Sequence, residues 1–346
     1  MPVSPRRLGR RLLTASLALL SLAAHAIGLA TLPATAEDGP VTLHYPSTGT
    51  ERPVRRGPFV QSWDVDGGVA PGNGRLVVIS HGSGGAPWVH ADLVRRLVEQ
   101  GFVVALPEHR ADNHHDGREQ GPQSWTRRPA EVSRAIDAVG RDPRFQSLRL
   151  DKVGVYGMSA GGHTALTLAG GRWSPAGFSR HCEAHLTEDF HFCVGLHTRL
   201  SGNVFDSLKQ WVALAVIRHR YAADDTPRTD TDPRVAVVVA GVPAAADFDP
   251  ASLATLSVPT GLVTARDDRW LSPRFHSDRV LSLCAACAHL ADLPKGGHGA
   301  LLSPLPPHFT GLLGDLLNDP AGFDRQDLMA IDQRIGAFLA RHLLGE

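Results

Sequence analysis

The chain has 346 residues, 42% of them hydrophobic and 20% charged, an ordinary balance for a globular protein with a sizeable core. Lys plus Arg and Asp plus Glu both number 35, so there is no basic field to attract nucleic acid or another polyanion.

Arg6, Arg7, Arg10 and Arg11 precede a run of mostly Leu, Ala, Ser and Thr from Leu12 to Leu32, closed by Ala34-Thr35-Ala36. A positive start, an apolar middle and a small-x-small exit describe a signal peptide over residues 1–36, which predicts a periplasmic or secreted protein. Ala23 to Ala26 offers a second cleavage point. An uncleaved anchor is the rival reading, because the apolar run is long enough to span a bilayer; membrane contact is expected through this segment alone. The paired arginines fit twin-arginine export without choosing a route. Without those four arginines the chain carries 31 basic against 35 acidic residues, a mildly acidic balance of about −4 that says nothing of substrate.

Past the leader, Val41 to Tyr45 and Phe59 to Val65 read as short strands separated by Pro- and Arg-containing turn material. Arg75 to Ser80 is an apolar strand running into His81-Gly82-Ser83-Gly84-Gly85, and a helix is predicted from about His90 to Gln100. A strand from Val103 to Pro107, a polar loop from Asp112 to Gln123 and a helix from about Arg128 to Gly140 follow. The strand Lys152 to Tyr156 leads through Gly157-Met158-Ser159-Ala160-Gly161 into a helix from Gly162 to Ala169 that stops at Gly170-Gly171. Later strands are Arg234 to Ala240, Thr260 to Thr264 and His289 to Leu293, with helices from about Arg274 to Leu283 and Arg325 to Leu344.

Strands alternating with helices predict an α/β domain over residues 37–346, a mostly parallel sheet covered on both faces. Residues 172–232 interrupt that rhythm with one helix-like piece, Val204 to Ala222, and read as an insertion. Such an insertion serves either as a lid over the site or as a peripheral excursion. Cys182, Cys193, Cys284 and Cys287 are an even set in an exported chain. Local pairing, Cys182 with Cys193 and Cys284 with Cys287, is the preferred of three connectivities, and a structural staple is preferred to a redox or metal role for Cys284-x-x-Cys287.

Strand, sharp turn and helix around Ser159 are the setting in which G-x-S-x-G becomes a nucleophile elbow. With about a tenth of the residues glycine, the pentapeptide alone is a weak signal. A serine nucleophile needs a base and a carboxylate that orients it. Strand Thr260 to Thr264 ends near Asp267-Asp268, with Asp268 the preferred acid, and His289 to Leu293 runs into Gly296-Gly297-His298-Gly299. The order Ser159, Asp268, His298 is the one such hydrolases use. Two amides must face a developing oxyanion: that of Ala160, after the nucleophile, and one from the His81 to Gly85 loop, with Ser83 preferred and Gly84 the alternative. No Lys-Ser/Thr follows that loop, so it is not a phosphate-binding P-loop. The other histidines, including His114-His115, His181, His191 and His197, show no ligand spacing with a second partner set, so no metal is expected. His163 reads as a packing residue, and Trp88, Trp125 and Trp270 as candidates for either the acyl site or the core.

The combination resembles an α/β-hydrolase of the dienelactone hydrolase-like group that also includes platelet-activating-factor acetylhydrolases. The residues that carry the resemblance are Ser80-His81-Gly82-Ser83-Gly84-Gly85, Gly101-Phe102-Val103-Val104-Ala105-Leu106-Pro107-Glu108-His109, Gly157 to Gly162, Asp268-Arg269 and Gly297-His298. The resemblance implies catalytic residues Ser159, Asp268 and His298, an oxyanion loop at Ser83, and no metal or organic cofactor. Authentic dienelactone hydrolases use a cysteine where this chain has Ser159, which turns the expectation from dienelactone toward a serine esterase of short-acyl or small carboxylic esters. A phospholipase A2-like or polyester-degrading enzyme is the alternative within that class, and a catalytically silent binding protein the alternative outside it. The expected partner is a small-molecule ester, and oligomeric state is not legible.

Overall fold

The computed structural model describes residues 25–305 and 308–345. In chain order the elements are β1 (Ala26–Leu32), β2 (Val41–Ser47), β3 (Arg52–Arg56), β4 (Phe59–Val65), β5 (Leu76–Ser80), α1 (Ala91–Glu99), β6 (Val103–Pro107), α2 (Pro122–Arg141), β7 (Val153–Met158) and α3 (Ala160–Leu168). There follow α4 (Pro175–His185), α5 (Phe190–Val194), α6 (Asp206–Tyr221), β8 (Val235–Gly241), α7 (Pro250–Leu253), β9 (Thr260–Ala265), α8 (Ser277–Leu283), β10 (Ala288–Leu293), α9 (Gly311–Leu317) and α10 (Asp327–Leu344).

The strands form one sheet in the order β10-β9-β8-β7-β5-β6-β2-β1-β4-β3. From β10 to β6 every pairing is parallel, and β2 joins β6 antiparallel. Every residue of β5, β6, β7 and β9 is buried, as continuous apolar runs must be when helices cover both faces. One face packs against α1 and α10 through residues such as Val94, Leu97, Ile335 and Leu339. The other packs against α2 and α3 through Val132, Ile136, Val139 and Leu168.

The register aligns the carboxyl ends of the central strands. Ser80 lies beside Gly157, Met158 beside Gly241, and Leu293 beside Ala265. The loops that leave these ends therefore open on one edge of the sheet, where groups from distant parts of the chain meet.

The structure bears on three expectations, and the last two are corrected. First, the leader boundary expected at Ala36 falls beyond a sheet strand. β1 pairs with β2 along its whole length, from Ala26 opposite Ser47 to Leu32 opposite Val41, and Ile27, Leu29 and Ala30 are buried. Residues up to Asp38 are also tied to the body: Arg110 donates to the Ala36 carbonyl at 3.0 Å, and Arg134 holds the Asp38 carboxylate at 2.6–3.0 Å. A leader ending at Ala36 would carry β1 away, whereas the Ala23 to Ala26 boundary leaves it in place. The positive and apolar stretch through residue 24 lies outside the described residues.

Second, the second central helix begins at Pro122, not near Arg128. Pro122 stands in the first turn, where a missing N–H costs nothing, and Pro129 removes a single internal bond that the rest of the 20-residue ladder tolerates. Third, Arg52–Arg56 is an edge strand paired with β4, although its Arg and Pro content reads as a turn. The disulfides pair as expected, Cys182 with Cys193 and Cys284 with Cys287, with Cα atoms 5.7 and 5.3 Å apart.

Candidate active site

Ser159 sits between β7 and α3 with φ 57° and ψ −118°, a left-handed conformation that a non-glycine residue adopts only when its surroundings impose it. Its N–H donates to the Gly241 carbonyl at 3.0 Å, and its carbonyl accepts from Ala244 at 3.1 Å, so the turn is bolted to the neighbouring strand end. The flanking glycines are required by close approach. A methyl on Gly157 would collide with the Gly161 carbonyl, and one on Gly161 with the Ser80 carbonyl.

The structure brings the three expected side chains together. The His298 Nε2 lies 2.9 Å from Ser159 Oγ, and the His298 Nδ1 lies 2.8 Å from Asp268 Oδ2. The remaining oxygen of Asp268 accepts from the Trp270 and Leu271 amides, both at 2.8 Å, which fixes the carboxylate's direction. Asp268 and His298 are both buried, and neighbouring Asp267 is half-buried with no hydrogen bond to His298.

The loop after β5 is held from below by a buried polar network. Arg128 donates to the His81 carbonyl at 2.5 Å, reaches the Gly82 carbonyl at 3.4 Å, and pairs with Asp112 at 2.8 Å; both side chains are fully buried. Asp112 in turn accepts from Ser83 Oγ at 2.6 Å and from the Gly84 N–H at 2.9 Å. Burial alone would raise the Asp112 carboxyl, but Arg128 and these donors outweigh it and hold the group below its ordinary value. Beneath them, Ser80 Oγ is 2.7 Å from His109 Nε2, and His109 Nδ1 is 2.6 Å from Glu131 Oε2. Burial pushes the His109 imidazole well below and the Glu131 carboxyl above their ordinary values.

Among the loop amides, that of Gly84 is taken by Asp112 and that of Gly85 by the Gly82 carbonyl. The Ser83 and Ala160 N–H groups have no protein acceptor among the described residues. An added Cβ on Gly82 would lie only 3.4 Å from the Ser159 Cβ, which shows how closely this loop passes the serine.

Ser159 and His298 open into a cavity of about 1350 Å³, above the roughly 300–1,000 Å³ of common small-molecule sites. Trp88, Trp125 and Trp270 all line it. Phe178, Phe192, Leu196 and Val216, from residues 172–232, line it as well. His191 from the same segment stacks on Trp270 at 4.0 Å, and burial lowers its imidazole from the ordinary range. The inserted segment is pinned at its neck, where Trp173 and Arg228 exchange backbone hydrogen bonds at 3.1 and 2.7 Å. It is pinned again at Asp189, whose carboxylate lies 2.8 Å from His181 and 2.9 Å from His276. Burial opposes charge on Asp189, yet His276 and His181 hold its carboxyl far below the usual range.

His163 is buried away from Ser159 Oγ, 3.2 Å from Asp247 and stacked on Trp125. Buried Glu108 and exposed His114 and His115 each place a ligand-type atom within 4.8 Å of the others, and both histidines line the cavity that contains Ser159 without joining its hydrogen-bonded chain. The Arg128, Asp112, His109 and Glu131 network was not foreseen from sequence. Its members lie on two segments, residues 109–112 and helix α2, with no local pattern to join them.

A mostly parallel sheet covered on both faces, with a strand–serine–helix elbow at its carboxyl edge, defines the α/β-hydrolase type of fold. Residues 68–177, about a third of the chain, match the model of the dienelactone hydrolase family. That stretch contains the His81 to Gly85 loop and Ser159, and ends before Asp268 and His298. The match supports an α/β-hydrolase-type fold, in line with the group that the motifs resemble. No curated protein matches it.

Proposed function

We propose that this chain is an exported serine hydrolase of carboxylic esters. The observation that carries the reading is the hydrogen-bonded series Ser159–His298–Asp268, at 2.9 and 2.8 Å, whose Ser159 and His298 line the large cavity. In this mechanism His298 Nε2 takes the Ser159 proton as Oγ attacks the ester carbonyl, and Asp268 orients the imidazole and stabilises its charge. The Ala160 and Ser83 amides receive the oxyanion, an effect worth several kcal/mol in related sites. Collapse expels the alcohol, which takes the proton from His298. Water, deprotonated by the same His298, then cleaves the acyl-enzyme and returns the hydroxyl to Ser159. Residues 172–232 serve as a cap, and the leader ends within Ala23 to Ala26, ahead of β1.

Short-acyl esters are the first substrate class. The size and apolar lining of the cavity favour the second, longer-chain lipid esters, because a short acyl group would leave most of that space unfilled. Rates across nitrophenyl esters of graded acyl length decide between them: a maximum at acetate or butyrate supports the first class, and a rising profile the second. Absence of hydrolysis at every length contradicts the ester reading itself.

A further inference from the structure

Among the described residues, the largest exposed apolar side chains concentrate at one place, α6 and the residues just before it. Val204 is 86% exposed, Phe205 64% and Trp211 68%, and Leu208, Val212 and Val216 are also exposed. Positions 205, 208, 212 and 216 recur at helical spacing and form one stripe. A surface helix normally turns its only apolar stripe inward. Here α6 has two, since Ile217 is buried and Ala213, Leu214 and Tyr221 pack inward beside it. The outer stripe is no separate patch: Phe205, Leu208, Val212 and Val216 also line the cavity that contains Ser159. Leu313 of α9, likewise exposed, lines it too.

The charges on this helix are mostly basic. Lys209, Arg218 and Arg220 stand against Asp206 alone, with no acid from Ser207 to Tyr221. Lys209 pairs with Asp206 at 2.8 Å and Arg218 with Glu183 at 3.2 Å, while Arg220 has no acidic partner among the described residues. Apolar and aromatic side chains on one face, with cations beside them, are the composition of a helix that lies in a lipid–water interface. No helix of the described residues is long and apolar enough to cross a membrane, so the contact would be peripheral.

We propose that α6, with Val204, docks the protein on a phospholipid surface. The stripe enters the acyl boundary, Arg220 meets the phosphates, and an ester chain passes from the lipid into the cavity without crossing water. This deepens the ester-hydrolase reading and rests on it for the fate of the chain, but the docking is measurable without catalysis.

The test is flotation of the full mature protein with phosphatidylcholine–phosphatidylglycerol vesicles. Wild type and Ser159→Ala are both expected to float, with Trp211 emission shifted to the blue and quenched by brominated acyl chains. The other five tryptophans are buried or half-buried, so the change reports this residue. Val204→Ser combined with Trp211→Ser, neither of which lines the cavity, is expected to lower the bound fraction roughly tenfold while hydrolysis of a soluble nitrophenyl ester is unchanged. Wild type that stays with the soluble fraction overturns the proposal. So does equal flotation of the double variant, or a dimer in solution that covers α6 and ignores vesicles. Flotation of a wild type that hydrolyses no ester upholds docking and removes the enzymatic reading instead.

Discussion

The loop beneath Ser83 and the helix α6 border the same cavity and are built by opposite rules. The loop is held by the buried Arg128–Asp112 pair, by Ser83 and Gly84 donating to Asp112, and by the Ser80–His109–Glu131 series beneath it. Of the 16 residues of α6 only Ile217 is buried. Under the proposed mechanism the difference follows from what each must do. An oxyanion site acts through donors fixed before the reaction, and any looseness there is a direct loss. A substrate entrance needs apolar surface that can yield, and a lightly packed helix supplies it.

The contrast can be broken first at the chemistry. Asp268→Asn keeps the shape but not the charge, and is expected to lower kcat by about 10⁴ with a folded, thermally normal protein. A loss below tenfold would take Asp268 out of the mechanism. Next comes the loop support. Arg128→Met is expected to cut kcat by about 10²–10³ with little change in KM, because the donors lose their aim while the cavity keeps its walls. A rise in KM with kcat intact would make Arg128 a residue of general stability.

The packing side of the comparison is sharpened by two truncations. Phe178→Ala, in the core of the inserted segment, is expected to cost about 3–5 kcal/mol in denaturant unfolding. Leu208→Ala on α6 is expected to stay within about 0.5 kcal/mol. Equal costs would mean that α6 is as firmly packed as the rest.

The smallest effect lies far from both regions. Burial, helped by Asp92, pushes the Asp332 carboxyl up to about 7. A raised carboxyl favours the folded state fully below its ordinary range near pH 4, and that contribution disappears as pH climbs toward 7. Asp332→Asn is therefore expected to flatten the stability profile between these limits and to gain roughly 1–2 kcal/mol at pH 8. An unchanged slope would place the Asp332 titration elsewhere.

Ser159, Asp268 and His298 were legible in sequence because each follows a short apolar strand and is announced by glycines or a turn. The sheet's carboxyl edge does the rest, bringing strand ends together whatever their separation along the chain. β1 was hidden because a run of Ala, Leu and Thr suits a leader as well as a buried strand, and only pairing with β2 distinguishes them. Amino-terminal sequencing of the protein made by its host tests the proposed boundary: a first residue between 24 and 27 agrees with β1 in the sheet, and one at Glu37 contradicts it. The Arg128 network and the outward stripe of α6 were not legible, since both are defined by what lies across from a residue and not by its neighbours in sequence.

The central claim is that Ser159 is an activated nucleophile, and labelling with a fluorophosphonate followed by peptide mass mapping tests it most directly. A single adduct on Ser159, absent from Ser159→Ala and strongly slowed in His298→Ala, is the predicted result. Folded wild-type protein that takes no label, or takes it on another serine, would contradict the account.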